Sequence, residues 1–130
     1  MITNYFLLAA GLLSIAFSFG HAAWGQKNIM AEVAGSGIQN LTKHAIFTNL
    51  HQGTSFMFIA GITLIIASTL TNTLVSQSLA SLVVAINFGN FVVFLGASLV
   101  RNRQALGQTI PQLFIMVAYL GLIIAGILRP

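Results

Sequence analysis

Apolar residues in this chain come in long unbroken stretches rather than alternating with polar ones. The charged residues are Lys27, Glu32, Lys43, Arg101, Arg103 and Arg129. They divide the rest into uncharged runs over residues 2–26, 44–100 and 102–128, the last interrupted only by Arg103. A bilayer core about 30 Å thick needs roughly 20 apolar residues in a helix. The first and last runs each hold one such helix, and the middle run fits two with a turn between them. The pattern therefore predicts spans over residues 4–24, 45–70, 79–100 and 110–128. Membrane strands would be about 10 residues long with apolar and polar positions alternating. Phe6-Leu7-Leu8-Ala9-Ala10 and Ile62-Thr63-Leu64-Ile65-Ile66 do not alternate in that way. The expected fold is all-α, a single transmembrane domain over residues 1–130 arranged as a four-helix up-down bundle.

Composition narrows the solvent. The 130 residues are 57% hydrophobic and only 5% charged, where a soluble domain carries about 25% Asp, Glu, Lys and Arg. So few charges cannot coat a globule in water. The absence of cysteine removes thiol redox chemistry, disulfides and thiolate metal sites. Charge then orients the bundle. Lys27, Lys43, Arg101 and Arg103 fall in the 25–44 and 101–109 loops, which share one side, against Arg129 alone on the other. The positive-inside bias places both basic loops in the cytoplasm and both termini outside. Cations divided over two faces make no nucleic-acid patch, so the expected partners are membrane lipid and other membrane subunits.

Local signals set the boundaries. Thr109 ahead of Ile110-Pro111-Gln112 reads as a capping box with proline in the first turn, starting the fourth helix. Gly35-Ser36-Gly37 breaks the first loop, residues 38–43 read as a helical lead into span two, and residues 71–78 read as the outer turn. Tyr5 and Trp24, at the two ends of span one, suit an interfacial aromatic belt. With no basic flank beyond the amino terminus itself, that first span reads as a retained helix rather than a signal peptide.

Polar side chains inside spans are where function or helix association shows. Span one carries Ser14, Ser18 and His21 on one helical stripe, and span two carries His44, Thr48, His51 and Ser55 on another. Pairing His21 with His51 across antiparallel neighbours brings Ser18 level with Thr54 or Ser55. Three readings of the two histidines stay open. They lock the helices through hydrogen bonds, they ligate a haem or copper ion as neutral imidazoles, or they handle protons or a small substrate. His44 lies seven residues from His51, about 10.5 Å along a helix, too far for one metal centre. Asn87 and Asn90 in span three lie deeper than the histidines on this reading, beyond the reach of one small ligand touching all four. Tyr119, midway down span four, is a natural partner for one of the asparagines, and Gln112 enters from the histidine side. Ala10-Ser14-Ser18, Ala85-Gly89 and Gly121-Ala125 form small-residue ridges that let helices approach closely.

The run His21-Ala22-Ala23-Trp24-Gly25-Gln26, with Leu50-His51-Gln52-Gly53-Thr54-Ser55, resembles a pattern in small uncharacterised bacterial four-helix membrane proteins. There, a His-x-x-x-Gly-Glu ends the first span and a Trp-His-x-x-Ser/Thr opens the second. Here Gln26 replaces the acid and Leu50 the tryptophan, which removes any carboxylate role. The resemblance implies a prokaryotic inner or plasma membrane and the same four-span fold, and it carries no activity.

No phosphate loop, paired carboxylates, Ser-His-Asp set or H-E-x-x-H is present. Coupled transporters and proton pumps place a carboxylate within the membrane, whereas Glu32 lies in the first loop. The leading expectation is a non-catalytic membrane subunit or assembly partner of a larger complex. The rivals are a haem- or copper-binding electron-transfer component using His21 and His51, and a small channel or carrier.

Overall fold

The computed structural model describes residues 3–101 and 106–129; Arg103 and the side chains of Arg101 and Thr109 lie outside that description. α1 (Tyr5–Trp24) continues through a wider π-helical turn (Gly25–Met30) into α2 (Ala31–Gly35), followed by α3 (Asn40–Thr69), α4 (Thr73–Arg101) and α5 (Leu106–Leu128). The apolar stretches Tyr5–Gly35, Asn40–Thr69, Thr73–Val100 and Ile110–Leu128 run 31, 30, 28 and 19 residues. The first three exceed about 40 Å and the fourth reaches about 28 Å, against a hydrocarbon core of about 30 Å. Four long apolar helices, with no strand among the described residues, fit an integral membrane protein.

Three expected boundaries move. The first helix does not stop at Trp24. The six residues after it keep helical hydrogen bonding at a longer step, and Asn28 Nδ2 donates to Trp24 O at 2.9 Å across this turn. The outer turn is shorter than residues 71–78, because Asn72 caps the next helix. Its Oδ1 accepts from Val75 N at 3.2 Å and its carbonyl accepts from Ser76 N at 3.0 Å. The fourth helix is already helical at Leu106, so Thr109 is not its cap and Pro111 lies inside it.

Packing closes the helices into a ring. α1 lies against α3 and α5, and α4 lies against α3 and α5. Thr3, Arg129 and the α3–α4 turn meet at one end, here called the terminal end. The other, carrying Lys27 and Lys43, is the loop end. The core of Leu7, Ala10, Ala60, Leu64, Ala67, Ala80, Val83, Tyr119 and Ile123 is concentrated toward the terminal end.

Hydrogen bonds finish that end by occupying carbonyls that a helix leaves unpaired in its last turn. Thr3 N and Oγ1 both donate to Ser68 O at 2.8 Å. Ser76 Oγ donates to Ala67 O at 2.8 Å, and Gln77 Nε2 to Ile127 O at 2.9 Å. Buried Asn4 uses both halves of its amide. Nδ2 donates to Gly126 O at 2.8 Å and Oδ1 accepts from Leu7 N at 3.1 Å, capping α1.

α1 and α3 touch backbone to backbone. A methyl placed on Gly11 would lie 2.8 Å from Gly61 O, and one on Gly61 would lie 2.8 Å from Gly11 O. The Ala10-Ser14-Ser18 ridge is buried in the bundle, and Ser14 Oγ donates across to Met57 O at 2.8 Å. The other two ridges face outward: Ala85, Gly89 and Gly121 are exposed.

A carboxamide crevice as candidate functional site

The polar stripe of span two does not meet that of span one. α3 presents Leu50, Gly53, Met57 and Gly61 to α1. The side chain of Leu50 sits where a Gly25 side chain would be, His21 Nε2 lies 3.6 Å from a methyl placed on Gly53, and Met57 O takes the Ser14 bond. His44, Thr48, His51 and Ser55 instead line an open groove along one face of α3, with Phe47, Gln52, Phe56 and Ile59.

The two histidines are therefore placed differently. His51 Nε2 is 3.2 Å from Gln26 Nε2, and its ring stands edge-on to Phe47 with centroids 4.3 Å apart. The π turn is what brings Gln26 to that ring. His21 faces the backbone at Gly53. Among the described residues no hydrogen bond joins the two imidazoles, and no group of three or more His, Cys, Asp or Glu comes together. The remaining hydroxyls turn inward on their own helices. Ser18 Oγ donates to Ile15 O at 2.7 Å and Thr54 Oγ1 to Leu50 O at 3.0 Å, while Ser55 is exposed. Gln112 is exposed on α5.

Tyr119 is not the partner of either asparagine. It is buried with its hydroxyl making no hydrogen bond of ordinary geometry among the described residues. The polar group that faces it is Ser14, whose own proton is already given to Met57 O.

The structure does bring together a set that the stripes did not reveal. Asn49, Gln52, Gly53, Phe56 and Met57 of α3 and Asn87 and Asn90 of α4 line a crevice of about 270 Å³. Asn87 Nδ2 donates to Val83 O at 2.8 Å, which leaves its Oδ1 free to accept. Asn49, Gln52 and Asn90 are exposed and make no side-chain hydrogen bond among the described residues. Behind Gly53 lies His21 Nε2. His21 thus lies on the α1 side of Gly53 and does not line the crevice. Sequence reasoning passed over Asn49 and Gln52 because they sit off the histidine stripe. Only the α3–α4 pairing, set by Ser76 against Ala67, brings them opposite Asn87 and Asn90.

Comparison with protein-family models, curated proteins and solved structures returns no match.

Proposed function

We propose that this chain is a non-catalytic integral membrane subunit, or assembly partner, of a larger membrane complex, with both termini on the outer side. The supporting observation is the outer face of α4. Only 11% of its apolar stretch is buried inside the bundle, against 28% for the first and second spans. That face carries Gly89 and Gly96, each with nothing within 4 Å of where a side chain would begin, and exposed Ala85. Glycine inside a helix costs about 1 kcal/mol relative to alanine. Facing lipid, it gains no packing that offsets this cost; facing a partner helix, it lets two backbones approach closely. A second transmembrane protein packed on Ala85, Gly89 and Gly96 accounts for both the exposure and the residue choice.

The test is quantitative copurification from native membranes, comparing the natural chain with a Gly89→Leu/Gly96→Leu variant. The variant should keep its folding stability, since both positions are exposed with nothing within 4 Å of where a side chain begins, and should lose a stoichiometric partner. Retention of the same partners by the variant would count against the proposal, as would migration of the natural chain as a free monomer.

A further inference from the structure

The crevice between α3 and α4 poses a separate problem. Asn49 lies six residues past Lys43, about 9 Å along α3, and Asn87 lies 14 residues before Arg101, about 21 Å along α4. Its polar groups are thus sunk well below the loop end in a segment apolar enough to span a bilayer. Three carboxamides there have no partner among the described residues, and a fourth retains a free acceptor. In hydrocarbon such groups are costly to leave unpaired. Among the described residues no charged side chain lines the crevice, and its walls include Phe56 and Met57. Asn49, Gln52, Phe56 and Asn90 are all exposed, so it opens sideways on the outer surface of the ring.

We infer that this crevice binds the uncharged, carbonyl-bearing head of a membrane lipid, with the apolar tail remaining in the bilayer. The amide NH₂ groups of Asn49, Gln52 and Asn90 donate to the carbonyl oxygens of the head. The free Asn87 Oδ1 accepts from a hydroxyl where the head has one, and the Phe56 ring supplies an apolar wall. Charge excludes the usual phospholipids, because an ionised head is held at the interface by the cost of entering hydrocarbon. Two sources carry the required chemistry: a tailed quinone, with ring carbonyls, and a diacylglycerol, with ester carbonyls and one hydroxyl.

The experiment uses the full chain in phosphatidylcholine nanodiscs, titrated separately with a decyl-tailed benzoquinone, a short-chain diacylglycerol and phosphatidylglycerol. Saturable one-to-one binding of the quinone or the diacylglycerol, with none of the anionic lipid, is expected. The arm that saturates identifies the source. Asn90→Leu should weaken binding about threefold, and Asn49→Leu/Gln52→Leu/Asn90→Leu about twentyfold, taking each membrane hydrogen bond at its average worth. Both variants place leucine at exposed positions that bond nothing, so their melting temperature should hold, which separates loss of the site from loss of the fold. Binding that does not saturate, that the triple variant leaves unchanged, or that phosphatidylglycerol shares would overturn the inference. Because the carboxamides are not the small residues of the α4 outer face, loss of a copurifying partner in the glycine variant and loss of lipid in the amide variant are independent results.

Discussion

Asn4 carries more structure than any other single side chain at the terminal end. Its carboxamide caps α1 through Leu7 N and ties the last turn of α5 through Gly126 O. Removing it orphans a buried N–H and a buried carbonyl at once, so Asn4→Leu should lower unfolding stability in detergent by about 2 kcal/mol. Asn4→Ser keeps a capping oxygen for Leu7 N but loses the donor to Gly126 O and should fall between. Thermal unfolding followed by circular dichroism ranks the three. Tyr119 makes the opposite case. Its hydroxyl is buried and makes no hydrogen bond of ordinary geometry among the described residues, so Tyr119→Phe removes a polar group from the core while keeping the ring. That variant should be as stable as the natural chain or more stable by up to about 1 kcal/mol. A loss on the scale of Asn4→Leu would instead mean that the hydroxyl shares the Ser14–Met57 bond in the folded protein. Neither role was legible from residue types. Asn4 stands at the edge of an apolar run, where a lone asparagine reads as a boundary. Tyr119 was assigned to the asparagines by depth alone, whereas helix rotation turns it toward α1.

At the level of elements, two glycine-bearing surfaces look alike in sequence and behave differently. Gly11 and Gly61 are where α1 and α3 cross with main-chain atoms in contact, and Gly89 lies open on α4. Gly11→Leu must push α1 away from Gly61 and Ile65, and overpacking of this kind costs about 1–3 kcal/mol; Gly89→Leu should cost nothing in the isolated protein. Measuring both by the same thermal unfolding assay tests the assignment of inside and outside directly, and equal losses would refute it. The number and approximate position of the helices could be read from the uncharged runs, because the length of an apolar helix is dictated by the bilayer. Which face of each helix points inward could not. When the surrounding solvent is also apolar, leucine and phenylalanine suit either face and hydrophobic periodicity no longer marks the interior. The stripe His44-Thr48-His51-Ser55 is therefore a true helical face that does not pack on the Ser14-Ser18-His21 stripe. It lines an outer groove, and the surface that meets α1 is the quieter set Leu50, Gly53, Met57 and Gly61. Likewise Pro111 resembles a first-turn proline only while the helix is taken to begin at residue 110.

Across the whole molecule, bonding is lopsided. The terminal end has a continuous core and a clasp of hydrogen bonds joining Thr3, Asn4, Ser76 and Gln77 to the last turns of α3 and α5. Toward the loop end the described contacts include Leu50 packed on Gly25, Gln26 beside His51, and Lys43 Nζ donating to Ala34 O at 3.2 Å. Among the described residues the continuous core lies at the terminal end, and the carboxamide crevice lies outside it. Sites that admit a ligand or partner are drawn from regions of low local stability, and an element pair with unsatisfied amides gains order when something occupies them. Amide hydrogen exchange should reveal this asymmetry. Protection is expected to be highest over residues 7–14, 60–68 and 119–126, and lower over residues 87–100, where α4 is largely exposed. The ends also face different compartments if the basic loops lie inside. Single cysteines at Lys27 and Thr71 should react with an impermeant maleimide from opposite sides of sealed vesicles, with Thr71→Cys labelled from outside. Exchange protection that is uniform along α4 would remove the physical basis for an open half. Labelling of both cysteines from one side would break the link between chain direction and membrane side, on which the outer placement of both termini depends.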